Sequence, residues 1–424
     1  MKYFFVLGTN PALSAAEIIA VLGSEEEARV VSGNILILEN PATDALKLIK
    51  RLGGTIKIGV INSEVNRHDN EKIKQGILNI IEEDLEEKGE ASKYCFGISH
   101  YGQSKLPVFP IGLTIKKTLK QNGVSCRLVT SKEKTLSSVV VEQNNLTRQG
   151  IEIVLIEEAG TMYLGRTEAV QDFKSLSFRD FGRPNRDDAS GMIPPKLAQI
   201  MLNLSGKIPA VGTQYLAFPP DRTQDVAFLP SILDPFCGSG TILMEAALMG
   251  IKNLIGSDIS DKAISDTKNN LAWLKNNFAD VKSASRACLG TNFQLFNISA
   301  TEISQKIKLN SVDAIVTEPY LGPQRGNPDP LKTKTDLEKL YSAALREFKK
   351  ILKPYGRVVM IFPVRAEGVR PDFHFMNPNL DGWQIVNPLP ESLQEKLHTT
   401  RRGTIVYGRP GQKVYREIVV LKKS

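Results

Sequence analysis

Three residues near the centre of the C-terminal half carry the most suggestive chemistry. In SVDAIVTEPYLGP (311–323), Asp313 to Val316 read as a buried strand, and that strand runs into a turn stiffened by Pro319. Glu318 puts a hydrogen-bond acceptor on the turn, and Tyr320 puts an aromatic face beside it. An exocyclic amine on a nucleobase is a poor nucleophile, because its lone pair is delocalised into the ring. An acceptor held against the amine protons raises electron density on that nitrogen, and an aromatic ring gives an extruded base something to stack on. Glu318, Pro319 and Tyr320 therefore form the candidate reactive turn.

A second group lies upstream. DPFCGSGTILMEAALMG (234–250) follows an apolar run, and Gly238 and Gly240 allow a tight turn that a ligand can approach closely. A dinucleotide fingerprint needs a third glycine where Leu243 stands, and Asp234 would repel a pyrophosphate. The same carboxylate attracts an ammonium, so the pattern suits S-adenosylmethionine, which carries an α-ammonium and a sulfonium. The next strand ends at Asp258, placed for two ribose hydroxyls, with Ile259 beside it for adenine. Asn297, at the end of a third strand, is placed for the adenine edge. An ordinary βα turn would also explain two glycines alone, but not this whole spacing. Cys237 lies within the loop rather than at the end of the fourth strand, where C5-methylation of a base needs its cysteine, so it reads as a packing residue.

These positions demand a strand–helix alternation, and the sequence supplies one from residue 191 onward: SILDPF, NLIGSDI, NFQLFNI, DAIVTE and GRVVMIFP, separated by helical stretches and by the helix-like TEISQKIK. The tail TIVYGRPGQKVYREI predicts a closing antiparallel pair that turns at Arg409-Pro410-Gly411. Residues 1–70 read as a small α+β module, with a capping box at Ser14 and Glu17 opening its first helix and the SEEE segment as a surface turn. Residues 71–166 read as a second module. It holds the helix EKIKQGILNIIEEDLEEK, the strand YCFGISH and a basic helix stopped at Asn122-Gly123. The strands CRLVTS, SSVVVE, IEIVLI and MYLGRT follow. The polar stretch 167–190 reads as a linker, and 191–424 as the catalytic domain.

Bulk composition sets outer limits. The 424 residues are 42% hydrophobic and 24% charged, as expected of an ordinary globular chain. No apolar run approaches the roughly 20 residues that span a bilayer, and the start MKYFFVLGTNP is too short for a signal segment, so a cytoplasmic, membrane-independent protein is expected. The four cysteines and four histidines are scattered, which favours chemistry without a metal. Net charge is +8, and basic residues cluster twice. Lys116, Lys117, Lys120, Arg127, Lys132 and Lys134 form one group, and eight Lys/Arg between Lys396 and Lys423 form the other, which suggests a nucleic-acid surface.

Over nearly its whole length the chain resembles the tRNA guanine-N2 methyltransferases that act on guanine at tRNA position 10. The resemblance rests on YFFVLGTNPALSAAEI, RDFGRPNRDDASGMIPPKLAQIMLNLSG (179–206), the glycine loop and the closing TIVYGRPGQKVYREI. It implies a Rossmann-like, seven-stranded α/β methyltransferase domain behind N-terminal α+β modules, one ferredoxin-like and one of THUMP type that grips tRNA. It also implies S-adenosylmethionine as cofactor, with Asp234, Pro235, Phe236, Gly238, Gly240, Thr241, Asp258, Ile259 and Asn297 on or beside the family's cofactor positions, Asn297 replacing an acid. Aligned without a gap, Glu318, Pro319, Tyr320 and Leu321 fall on the family's Asp, Pro, Pro and Tyr, and Gly322 matches. Two other readings stay open: a DNA amino-methyltransferase using the same turn, and an RNA-binding protein that transfers no methyl group.

Overall fold

The computed structural model describes residues 1–23, 28–39, 44–89, 93–187, 192–206, 230–278, 290–323, 329–367, 372–412 and 414–424. The SEEE segment (24–27), Cys288 and Lys413 lie outside them. Contacts divide the chain into two compact units. One comprises Met1–Pro11, Ser24–Asp172 and Glu391–Lys396; the other comprises Ala12–Gly23, Phe173–Pro390 and Leu397–Ser424.

The first unit is built on one eight-stranded sheet. Its strands are β1 (Lys2–Leu7), β2 (Arg29–Val31), β3 (Ile35–Glu39), β4 (Thr55–Asn66), β5 (Tyr94–Tyr101), β6 (Cys126–Val129), β7 (Gly150–Glu158) and β8 (Thr161–Val170), ordered β2-β3-β1-β4-β8-β7-β5-β6. The long β4 pairs antiparallel with β8, so residues on both sides of position 70 share a sheet. A charge sits at its centre. Lys57 Nζ donates to Glu152 Oε1 at 2.5 Å and to the Leu136 carbonyl at 2.7 Å, while Ser99 and Thr167 hydroxyls complete the carboxylate. Both ions are buried, and their satisfied partners offset the desolvation.

Local expectations fare unevenly here. Asn122 and Gly123, the latter at φ +85°, end the helix Val108–Gln121 as expected. The run SSVVVE (137–142), expected as a strand, instead supplies the N-cap Ser137 and most of the helix Ser138–Gln143, with Ser137 accepting from the Val140 N–H. A capping side chain here outweighs the β preference of three valines. The proposed capping box is also corrected: the first helix begins at Pro11, and Ser14 and Glu17 are interior and buried. Glu17 accepts from Asn203 Nδ2 at 2.7 Å within the second unit.

That second unit is a doubly wound α/β sheet. Strands β9 (Ser231–Asp234), β10 (Asn253–Asp258), β11 (Asn292–Asn297), β12 (Val312–Thr317), β13 (Leu352–Glu367), β15 (Trp383–Ile385) and β17 (Val414–Lys423) run in the order β11-β10-β9-β12-β13-β17-β15, with β14 (Asp372–His374) and β16 (Ile405–Tyr407) at the side. The first five are parallel, β17 is antiparallel to β13, and β16 pairs antiparallel with β17 as the hairpin expected of the tail. All six residues of β12 are buried, as a central parallel strand requires. The helix-like TEISQKIK shortens to a 3-10 turn, Ile303–Gln305. Strand order reverses between β9 and β12, and such a switch point opens a crevice at the strands' C-terminal ends.

No helix among the described residues is long and apolar enough to cross a membrane.

Candidate active site at the strand-order switch

The glycine loop leaves β9 at Asp234 and enters the helix Thr241–Leu248 through Gly240. Gly238 and Gly240 take φ of +51° and +85°, a region that a side chain occupies only under strain. A Cβ at Gly240 would come within 3.0 Å of Thr267, whereas one at Gly238 would meet nothing within 4 Å. The loop therefore packs tightly at its second glycine and is open at its first.

Polar contacts fix its shape. The Gly238 N–H donates to Asp258 Oδ2 at 3.0 Å, and the Ser260 N–H donates to Asp258 Oδ1 at 2.9 Å. Thr267 Oγ1 donates to the Gly238 carbonyl and Asn270 Nδ2 to the Ser239 carbonyl, both at 2.8 Å. Each Asp258 oxygen keeps lone-pair capacity after one backbone bond. Ile259 beside it is 76% exposed, an apolar face unusual at a strand end. Asn297 is exposed, and its Nδ2 donates to the Ile259 carbonyl at 3.0 Å. Pro235 and Thr241 are buried and Phe236 half-buried, so all three shape the loop from behind or within.

Asp234, read from the sequence as a carboxylate that attracts an ammonium, lies in the interior. It is 2% exposed, and its Oδ1 accepts from Thr317 Oγ1 at 2.7 Å and from the Phe236 N–H at 3.2 Å. Burial pushes its carboxyl from 3.8 up to about 7; the hydrogen bonds oppose this, and the charges of Asp258 and Glu318 add to it. Because the folded-state value is raised, its stabilising contribution is complete below the unfolded value and disappears as pH rises through about 7. Asp234→Asn should accordingly flatten the pH dependence of the thermal midpoint between about pH 4 and 7. An unchanged slope in that variant would show that Asp234 is not the titrating group.

The reactive turn begins one residue after Thr317, so the Thr317–Asp234 hydrogen bond ties it to the glycine loop. Pro319 is buried, and Tyr320 is 53% exposed with its backbone carbonyl held by Tyr341 Oη at 2.8 Å. Gly322 takes φ +93°. Glu318 is nearly buried, and its Oε1 accepts from Arg416 Nε at 2.5 Å. Burial raises its carboxyl above the ordinary range, and Arg416 opposes that rise.

Several of these residues were not singled out from the sequence. Arg416 was counted only in the second basic cluster, and that cluster is partly internal. Arg402 is paired with Glu417, and Arg416 with Glu318, so neither charge is a loose surface cation. The front cluster keeps Lys117, Lys120, Arg127, Lys132 and Lys134 exposed, and Phe109 and Leu113 are also exposed on its helix. The described part of the stretch expected as a linker, 167–187, is also structured. Phe173–Phe181 is a helix, Asn185 N–H donates to Asn270 Oδ1 at 3.0 Å, and Arg183 Nη1 donates to Thr241 Oγ1. Arg179 grips Glu245 through two hydrogen bonds, 2.7 and 3.1 Å, with both side chains buried.

Several known proteins resemble this chain in sequence. Residues 229–368 match the family model described as RMKL-like, methyltransferase domain. A tRNA (guanine(10)-N2)-dimethyltransferase from Methanothermobacter thermautotrophicus is 34% identical over 132 residues, 31% of this chain and 28% of that protein. The protein of the same name from Methanocaldococcus jannaschii is 27% identical over 228 residues, 53% and 52% of the two chains. Another from Pyrococcus abyssi is 28% identical over 193 residues, 45% and 43%. The chain thus spans about half, or less, of the length of these curated relatives. The segment that carries the glycine loop, Asp258 and the Glu318 turn is similar to RMKL-like methyltransferase domains, and stretches of the chain are similar to tRNA (guanine(10)-N2)-dimethyltransferases.

Proposed function

We propose that this protein transfers a methyl group from S-adenosylmethionine to an exocyclic amine of a nucleic-acid base, guanine N2 in tRNA. The observation that carries the reading is the Thr317–Asp234 hydrogen bond, which holds an acceptor-bearing turn against a glycine loop of cofactor-binding type. S-adenosylmethionine supplies an electrophilic methyl on sulfur when bound. The residues present fit it: Asp258 has acceptor capacity for ribose hydroxyls, Ile259 an exposed apolar face for adenine, and Gly238 open space for close approach. Asn297 would meet the adenine edge, and Asp234 would favour a cationic neighbour when ionised. Pro235, Phe236, Gly240 and Thr241 keep the loop in shape.

At the other side of the crevice, Glu318 Oε2 accepts an amine N–H and takes up the proton that the nitrogen loses. Tyr320 offers the stacking face and Pro319 fixes the turn. The N-terminal unit grips the tRNA, a reading supported by its exposed lysines beside Phe109 and Leu113.

The test is transfer of labelled methyl to bulk tRNA and to duplex DNA, followed by nucleoside digestion. N2-methylguanosine from tRNA is expected. Label confined to DNA would overturn the substrate, and cofactor binding with no labelled nucleoside would overturn the activity.

A further inference from the structure

Arg416 stands in the interior of β17, where its neighbours across the ladder are Pro363 of β13 and Tyr407 of β16. Neither supplies a counter-charge. Its guanidinium turns instead to the reactive turn, bonding Glu318 Oε1 through Nε at 2.5 Å and reaching the Met192 carbonyl through Nη2 at 3.4 Å. The two side chains are only 15% and 10% exposed. Moving both charges out of water is costly, and a pair of apolar residues would often serve stability as well. The pair therefore calls for a reason other than stability.

The chemistry of the acceptor gives one. An ionised carboxylate only accepts hydrogen bonds, whereas a protonated one, or an amide, also donates. Guanine presents N1–H beside its N2 amine, two adjacent donors. Adenine and cytosine each present their amine beside a ring nitrogen lone pair, which an anionic oxygen repels.

Resting on the methyl-transfer reading above, we propose that Arg416 is the positioning residue of the reactive turn, and that the Arg416–Glu318 pair selects guanine over bases whose amine adjoins a ring acceptor. Arg416 occupies Oε1, and Oε2 has no partner among the described residues, so one oxygen remains for the base. The other groups facing Glu318 are Asp234 from the end of β9, a like charge, and Tyr341 from the helix Pro330–Ile351, whose hydroxyl is committed to the Tyr320 carbonyl. Arg416 is thus the cation that opposes the effect of burial on Glu318.

Two readouts test this on the full chain, with thermal unfolding to confirm that each variant folds. The first is titration of the Glu318 carboxyl by carbon-13 NMR, its signal identified by its loss in Glu318→Gln. Arg416→Gln should raise the titration point by about one unit or more, and Arg416→Lys should restore part of it. The second is the ratio of N2-methylguanosine to N6-methyladenosine formed on an unmodified tRNA transcript. Arg416→Gln should lower N2-methylguanosine about 10- to 100-fold and move the acid limb of kcat/KM upward, and Glu318→Gln should shift the ratio toward adenine about tenfold. An unmoved Glu318 titration in Arg416→Gln would overturn the positioning role. Wild-type protein that methylates adenine as fast as guanine would overturn the selection. If the wild type labels no nucleoside, the methyl-transfer reading fails and takes the selection with it, while the titration still decides for or against the positioning role.

Discussion

Glu318→Ala is expected to lower methyl transfer at least ~10²-fold while changing S-adenosylmethionine affinity only a few-fold. The two effects separate because Glu318 leaves the sheet at the end of β12, whereas the groups proposed for the cofactor lie at the ends of β9, β10 and β11. Removing the carboxylate takes away the acceptor for the amine proton and also strands the Arg416 guanidinium, so part of the loss will come from a rearranged turn. Glu318→Gln keeps the volume and one acceptor and should recover folding but not the rate. Labelled-methyl assays give the rate, and titration calorimetry gives the affinity. A transfer rate equal to the wild type in Glu318→Ala would remove Glu318 from the reaction altogether.

The legibility of the site follows the range of its contacts. Gly238 and Gly240 were readable because only glycine takes their backbone angles without strain, a constraint written at the residue itself. Most of β12 was readable for a similar reason: the apolar run Ala314–Val316 fits a central parallel strand. Arg416 was not, since its partner lies 98 residues away and nothing local marks a charge that turns inward. The same holds for Arg183 and Asn185, whose polar neighbourhood reads as a linker until Thr241 and Asn270 are seen beside them. Errors of element type arose where two local preferences competed. Residues 138–143 hold three valines, yet the hydroxyl of Ser137 starts a helix there. Ser14 and Glu17 have capping-box spacing, but the helix had already begun at Pro11.

Glu245→Ala should have the largest effect on the stability of the second unit. Glu245 lies within the helix that follows the glycine loop, 1% exposed, and accepts two hydrogen bonds from Arg179, whose side chain is 8% exposed. Arg179 Nη1 also donates to Ser175 Oγ at 2.7 Å, a single neutral partner that cannot replace a carboxylate. Breaking one side of such a buried pair typically costs about 3–5 kcal/mol, which lowers the midpoint of a unit of this size by roughly 10 °C. Cofactor affinity should fall with it, because Gly240 opens the same helix. The double variant Arg179→Met/Glu245→Leu should regain most of the stability, since it leaves no uncompensated charge. Recovery of the midpoint together with cofactor affinity would show that Arg179 and Glu245 act as a strut under the loop. Recovery of the midpoint alone would show that the paired charges themselves help to set the loop's conformation. A loss below about 1 kcal/mol in the single variant would mean that water reaches the pair, against the burial described here.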